Sequence, residues 1–227
     1  MRLTVIVPTL DEEYGIVPVL TAARRGLGAD DELLVADGGS SDATVDLAHG
    51  LADRVVGGAQ GRGAQMNRAA EVAKGDILLF LHADTLLPDG FRDQVVDALE
   101  RCEADWGRFD LRFDRGGPLL RLIARLISWR SWLFASATGD QAIFVRAPVF
   151  AELGGFAEPV LFEDVELVRR LKRRSRPAIP PRPCVTSSRR WRNRGAWRTS
   201  FLMWGLKAAY LAGVPAATLA RRYRDER

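Results

Sequence analysis

The sequence predicts an α/β fold with a mostly parallel central sheet flanked by helices. Two observations carry this. Over the first hundred residues, short apolar runs alternate with helical stretches in the order β-α-β-α-β-α-β-α. Such alternation with short connections implies parallel strands joined by right-handed crossovers. The run Ile77-Leu78-Leu79-Phe80-Leu81 also has no polar side chain. Both its faces are apolar, which suits the middle of a parallel sheet covered by helices. A chain of 227 residues, 47% hydrophobic and 27% charged, buries a full core and fits one α/β domain with an appendage.

The elements follow in order. Leu3-Thr4-Val5-Ile6-Val7-Pro8 is a β-branched run closed by a proline and reads as the first strand. Thr9-Leu10-Asp11-Glu12-Glu13 follows, with Asp11 expected as an N-cap and acids in the first helical turn. Ile16, Val19, Leu20 and Ala23 recur at helical spacing until Gly26 and Gly28. Glu32 to Ala36 is the second strand, and Asp37-Gly38-Gly39-Ser40-Ser41-Asp42 is a turn before a helix from about Ala43 to Leu51. Arg54-Val55-Val56 gives a third strand. Gly57 to Gly63 is a glycine-rich loop opening a helix that ends at Gly75. The fourth strand precedes a helix from about Pro88 to Arg101.

The second half changes character. Trp106 to Phe113 alternates strictly and predicts one half-exposed strand. Leu119 to Phe134 predicts a cationic amphipathic helix, with Arg121, Arg125 and Arg130 among Leu, Ile and Trp. Gly139-Asp140-Gln141 is a loop feeding a strand that runs to Arg146. Gly154-Gly155-Phe156 is a turn, and Leu161 to Leu171 is a helix with three acids in its first turn. Ser187 to Trp191 ends a strand, Trp197 to Tyr210 is helical, and Pro215 opens a last short helix.

The net charge of +4 conceals an asymmetry. Residues 1–166 carry 16 Lys and Arg against 27 Asp and Glu, whereas residues 167–224 carry 16 Lys and Arg and no acid. Such a block suits an anionic partner: phosphate, a lipid face or nucleic acid. No nucleic-acid module is visible, so nucleic acid is not expected. Cys102 and Cys184 match no metal or redox spacing and read as free thiols of a cytoplasmic protein. The first strand begins directly after Arg2, so no secretory leader is expected, and no apolar run reaches the roughly 20 residues of a bilayer span.

The loops after the first, second and fourth strands each carry an acid, Asp11, Asp37 and Asp84, to one edge of the sheet. That carboxyl edge is where open α/β sheets bind ligands. His82 and Asp84 are two residues apart. In an extended segment they share a side and can converge on one ion or one phosphate. These acids, the glycine-rich turn and the His/Asp pair fit a nucleoside diphosphate held through Mn²⁺ or Mg²⁺. Such an ion takes few protein ligands and acts as a Lewis acid on the diphosphate. There is no Gly-x-x-x-x-Gly-Lys-Ser/Thr loop and no Gly-x-Gly-x-x-Gly after the first strand. That argues against a P-loop ATPase and a dinucleotide dehydrogenase.

Thr4 to Glu12, Val35 to Thr44 and Phe80-Leu81-His82-Ala83-Asp84 together resemble the family 2 glycosyltransferases of the GT-A fold, and Gly154-Gly155-Phe156 and Glu163-Asp164 continue the match in order. Gly139-Asp140-Gln141 and His82-Ala83-Asp84 resemble most a bacterial subgroup, the radical-SAM/selenodomain-associated transferase 2 proteins. The resemblance covers roughly residues 3–195. It implies a transferase domain over 1–195, with 1–100 the nucleotide-binding half and 101–195 the acceptor half, and basic amphipathic helices over 196–227. It further implies an inverting transfer from a nucleotide-diphosphate sugar. Asp37 would hold the uracil-type base, with Pro8, Thr9 and Glu12 lining the base and ribose pocket and Arg62 near the nucleotide. Asp84 would hold the metal and diphosphate, with His82 standing where the family usually has Asp. Asp164 would be the general base, and Asp140, Gln141 and Glu163 would shape the acceptor side. Arg190 and Trp191 match part of the Gln-x-x-Arg-Trp motif of processive relatives and would touch the diphosphate, with Ser187 in place of Gln, so one sugar per event is expected.

Two other readings compete. A nucleotidyltransferase would want a glycine-rich loop with Arg or Lys directly after the first strand, where Thr9-Leu10-Asp11-Glu12 is acidic instead. A catalytically impaired GT-A-like binding protein, recruited to a membrane or partner through the basic tail, is kept open by His82. The acceptor is not specified by the sequence. A lipid-linked one becomes natural where the 119–134 helix and the tail lie on an anionic membrane surface, peripheral on its inner face. The competing placement packs that helix on the domain or at a homodimer interface.

Overall fold

The computed structural model describes residues 1–59, 61–157 and 162–189, with 205, 206, 209, 210, 212–214, 218 and 219 of the C-terminal extension. The β-branched and leucine-rich runs form β1 (Leu3–Thr9), β2 (Glu32–Asp37), β3 (Arg54–Val56) and β4 (Ile77–Phe80). These four are parallel, in the spatial order β3-β2-β1-β4. Every residue of β1, β2 and β4 is buried, because helices cover both faces.

The helices are α1 (Ile16–Gly26), α2 (Thr44–His49), α3 (Arg62–Val72), α4 (Phe91–Arg101), α5 (Pro118–Leu133), α6 (Ala147–Glu152) and α7 (Glu163–Leu171). Strand alternation sorts them into two layers. Val5 and Val7 of β1 share a core with Leu20 of α1, Phe91 of α4 and Ile123 of α5. Ile6, one residue away, shares the opposite core with Met66 of α3, Phe150 of α6 and Leu167 of α7. Each such buried side chain contributes roughly 2 kcal/mol.

Five further short strands lie among the described residues: β5 (Thr85–Leu86), β6 (Trp106–Gly107), β7 (Leu111–Phe113), β8 (Phe144–Arg146) and β9 (Cys184–Thr186). β8 pairs antiparallel with β4, and β6 pairs antiparallel with β8. β4 therefore lies where the parallel half of the sheet meets an antiparallel half, not inside a parallel sheet as its apolar faces suggested. The reversal matters for the site. The 3₁₀ turn Gly139–Gln141, which feeds β8, arrives at the carboxyl edge of β4, where Phe80 N donates to Ile143 O at 2.8 Å. β5, β9 and β7 form a second, three-stranded sheet.

Two further expectations are corrected. The 106–113 segment is not one half-exposed strand. It leaves the main sheet after Gly107 and joins the second sheet at Leu111, and Arg108 at the crossover is fully buried. Arg108 Nη1 donates to Asp110 Oδ1 and to Phe109 O, which is how a cation is accommodated there. Asp11 does not cap α1. It takes a left-handed φ of 52°, and α1 begins after Gly15 with no acid in its first turn. The sequence pattern also missed α6, whose six residues span too few turns to show a period.

No helix among the described residues is long and apolar enough to cross a membrane. Both cysteines are free. Of the C-terminal extension, Leu206 and Leu219 are buried against Phe162 and Val165, and the Phe162 and Tyr210 rings lie 5.1 Å apart. The expected helices from Trp197 to Tyr210 and from Pro215 lie mostly outside the described residues, as do Arg190 and Trp191.

Candidate active site

The loops after β1 and β2 interlock through polar side chains. Ser41 N donates to Asp11 Oδ1 at 2.8 Å, Glu12 N to Thr44 Oγ1 at 2.8 Å, and Glu13 N to Asp42 Oδ2 at 3.1 Å. Asp11 therefore belongs to a clasp between loops. Pro8 and Thr9 are buried at the end of β1, and Glu12 is half-buried beside them.

Asp37 closes the glycine turn that follows β2. Its Oδ2 accepts from Gly39 N at 2.8 Å and Ser40 N at 2.9 Å, and its Oδ1 from Ser40 Oγ at 2.5 Å and Thr9 Oγ1 at 3.1 Å. Burial opposes its charge, but the hydrogen bonds from Ser40, Gly39 and Thr9 outweigh that and hold the carboxyl below its usual range. Gln65 of α3, which sequence reasoning did not single out, supports the same place. Its amide donates to Thr9 O at 2.7 Å and Ala36 O at 3.1 Å. A Cβ on Gly38 would come within 2.5 Å of that amide nitrogen, so a larger residue there would displace the Gln65 amide from its two carbonyls. The only signal was a polar residue on the apolar side of a helix.

After β4 the chain turns at once. Thr85 N donates to His82 O at 3.1 Å, so His82 and Asp84 sit in a turn and not in an extended register. His82 is half-buried and Asp84 exposed. The imidazole packs against Gly139, where a Cβ would lie 2.3 Å from Nε2. His82 and Gly139 line a small cleft with Phe156, Glu163 and Asp164.

Asp164 reaches this cleft from the first turn of α7. Its Oδ2 accepts from Gly139 N at 2.6 Å and its Oδ1 from Val165 N at 2.7 Å. Asp140, next to Gly139, accepts from Thr138 Oγ1 at 2.5 Å. Burial pushes the Asp140 carboxyl above its usual range and the charges of Asp164 and Asp84 add to that, against the Thr138 hydrogen bond and the Arg130 charge. Asp140 thus feels a carboxylate from each of two other segments. None of the ion pairs among the described residues involves Asp84, Asp140 or Asp164. Arg130, from the last turn of α5, faces Asp140 and Asp164, and its Nε is buried with no hydrogen-bond partner among the described residues.

Glu163 is buried, and its pKa is raised by that burial and by Asp164 beside it. Arg62, at the start of α3, meets it at 3.5 Å. Gln141 is fully buried. Its Oε1 accepts from Ser131 Oγ at 3.0 Å and its Nε2 donates to Phe109 O at 3.3 Å, so it braces the turn carrying Asp140 from behind.

A divalent cation fits this donor set in a limited way. The Asp84, Asp140 and Asp164 carboxylates are hard oxygen ligands of the kind Mg²⁺ and Mn²⁺ take. No group of three or more ligating side chains converges among the described residues. The protein would therefore give a minority of the shell, with diphosphate oxygens and water giving the rest.

Residues 4–150 match the family model for glycosyl transferase family 2. The chain belongs to that family. The PGL/p-HBAD biosynthesis glycosyltransferase of Mycobacterium tuberculosis (strain ATCC 25177 / H37Ra) is 31% identical over 169 residues, covering 67% of this chain and 62% of the relative. This family 2 chain thus spans less than two thirds of the length of that relative. Staphylococcus aureus TarS 1–349, solved in complex with UDP-GlcNAc, superposes with a TM-score of 0.65 at 18% identity over 82% of this chain and 58% of that one. Glucosyl-3-phosphoglycerate synthase from Mycobacterium tuberculosis, solved with Mn²⁺, UDP and phosphoglyceric acid, gives 0.58 at 24% identity over 82% and 68%. These likenesses show a GT-A-like α/β fold. The family match ends before α7, so Asp164 lies outside it.

Proposed function

We propose that this family 2 domain transfers a sugar from a UDP-type nucleotide-diphosphate sugar to an acceptor hydroxyl, with inversion at the anomeric carbon. The observation that carries the reading is the cleft in which Asp164, bonded to Gly139 N, lies beside His82 from the turn after β4 and next to Asp140. The UDP-GlcNAc complex of TarS and the UDP complex of the phosphoglycerate synthase support the donor class.

Pro8, Thr9, Glu12 and Asp37 line the base and ribose end, where Asp37 can exchange a turn hydrogen bond for one from the base. Arg62 borders the nucleotide from α3. Asp84, with His82 as a second candidate ligand, would hold Mn²⁺ or Mg²⁺. When bound, that ion supplies positive charge for the departing diphosphate. Arg190 and Trp191 are proposed to add a contact there.

Asp164 is the general base in this reading. Its two backbone hydrogen bonds fix the carboxylate and leave each oxygen a further lone pair. The acceptor hydroxyl gives its proton to Asp164 as its oxygen bonds to the anomeric carbon. The carbon–oxygen bond to the diphosphate breaks on the opposite face, and its electron pair leaves with the diphosphate. One displacement gives inversion. Asp140 and Glu163 shape the acceptor side, and Gln141 holds Asp140 in place. Gly139-Asp140-Gln141 and His82-Ala83-Asp84 favour the radical-SAM/selenodomain-associated subgroup, and the basic surfaces favour a lipid-linked acceptor at the inner face of a membrane.

Hydrolysis of UDP-sugars with Mn²⁺ tests this. Asp164→Asn is expected to slow hydrolysis ~100- to 10,000-fold while UDP still binds, the usual range for a lost general base. Unchanged hydrolysis removes Asp164 from the role. Absence of any melting-temperature response to a panel of nucleotide sugars removes the donor reading.

A further inference from the structure

The outer face of α5 has no part in the chemistry above. Its inner face, Leu120, Ile123, Ala124, Ile127 and Ser131, is buried on the domain. The opposite face presents Leu122 at 51% exposure, Trp129 at 60%, Trp132 at 58% and, just past the helix, Phe134 at 61%. Leu119, Leu126 and Leu133 are exposed between them. At 100° per residue, Leu119, Leu126, Leu133, Leu122 and Trp129 fall within an arc of about 80°. Arg125 and Arg121 follow about 40° and 80° beyond the Trp129 edge of that arc, with Trp132 between them, and both are exposed. They line a shallow groove with Pro118 and Leu122. Neither arginine has an ion pair among the described residues. No Asp or Glu occurs between Asp114 and Asp140.

We infer that this face is a docking surface for an anionic lipid bilayer, with α5 lying in the plane of the headgroups. A helix of 16 residues is about 24 Å long. Exposed leucine and tryptophan flanked by arginine have the chemistry of an interfacial helix: apolar groups enter the acyl boundary while guanidinium groups meet lipid phosphates at the same depth. A contiguous apolar face of this kind on a water-exposed helix calls for a partner. A second copy of the chain fits less well. A two-fold contact would bring two acid-free cationic helices together with no carboxylate on either to compensate.

The inner side of the same helix reaches the candidate site. Ser131 donates to Gln141 behind Asp140, and the charge of Arg130 acts on Asp140 and Asp164. Docking through α5 therefore holds the acceptor side about one helix diameter, roughly 10 Å, from the bilayer surface. Delivery of a lipid-linked acceptor rests on the sugar-transfer reading, whereas the docking surface does not.

Flotation of the full chain tests this, with phosphatidylcholine vesicles alone and with roughly 30 mol% phosphatidylglycerol. The chain is expected to float with the anionic vesicles, with blue-shifted tryptophan emission, and to be released by ~0.5 M salt. The double substitutions Trp129→Ser with Trp132→Ser, and Arg121→Glu with Arg125→Glu, are each expected to lower partitioning at least ~10-fold. Their thermal melts should not change, because all four side chains are exposed. A wild type that stays soluble overturns the inference, and so do variants that bind like wild type. A solution dimer that the tryptophan variant splits assigns the face to a second copy and also overturns it. A UDP–Mn²⁺ melting shift on the same samples reads the donor site separately. A shift without flotation rejects docking alone, and flotation without a shift rejects the transferase reading alone.

Discussion

Asp37 and Glu163 sit at one sheet edge and are perturbed in opposite directions, which fixes opposite pH signatures. Asp37 is ionised more readily in the folded chain than in the unfolded one. Its stabilising contribution is complete above the unfolded value of about 3.9 and is lost as pH falls through the lower folded value. Asp37→Asn leaves one neutral acceptor oxygen for the four donors that the carboxylate serves. It is expected to cost about 1–3 kcal/mol near pH 7 and to flatten the acid limb of stability against pH, as read by urea titration. Glu163 is harder to ionise in the folded chain. Its folded form holds the proton more tightly, so its contribution falls as pH rises from the unfolded to the folded value. Glu163→Gln removes that cost and keeps the shape. Its melting temperature at neutral pH is expected to equal or exceed that of wild type, and a clear fall would mean that the Arg62 pair outweighs the desolvation of Glu163.

Among the elements, β6 and β8 decide whether the site exists. β8 runs against β4, and this places the Gly139–Gln141 turn, and Asp140 with it, beside the β4 turn that carries Asp84. β6 closes that side, and Gly107 lets it approach. A Cβ there would lie 2.3 Å from the Phe144 ring and 2.4 Å from Ala178 O. The carbonyl belongs to the backbone and cannot rotate away. Gly107→Ala is expected to cost about 3 kcal/mol or more. Because the strain falls on β8, UDP–Mn²⁺ affinity should drop along with the melting temperature. A variant that melts normally would show that β6 can shift without disturbing the edge.

The whole molecule divides its charge as it divides its tasks. Acids outnumber bases over residues 1–166, where the candidate donor site lies, and residues 167–224 carry bases alone, with the acid-free α5 a cationic exception inside the first part. Saturating UDP with Mn²⁺, at about 100 times its dissociation constant, is expected to stabilise the fold by ~2.7 kcal/mol, a rise of several degrees in melting temperature. Asp84→Ala is expected to remove the metal-dependent part of that rise and to leave the ligand-free melt nearly unchanged, because Asp84 is exposed. An undiminished metal response in that variant would place the ion elsewhere.

The parallel half of the sheet, the order of its loops and the acids they carry were legible in the residues, because these are local properties. Apolar runs such as 77–81 and helical spacings such as Ile16-Val19-Leu20-Ala23 are set by the chain's own periodicity. Family membership was legible from motifs in order. Only the tertiary structure decided that β8 reverses direction, that Arg108 is buried at a crossover, that Asp11 clasps a loop and does not cap a helix, and that Gln65 and Gln141 brace the edge. These depend on which sheet a strand joins or on partners outside the local segment, 30 residues away for Asp11, 56 for Gln65 and 10, from helix to turn, for Gln141. Contacts at that range are set by packing and leave no period in the sequence.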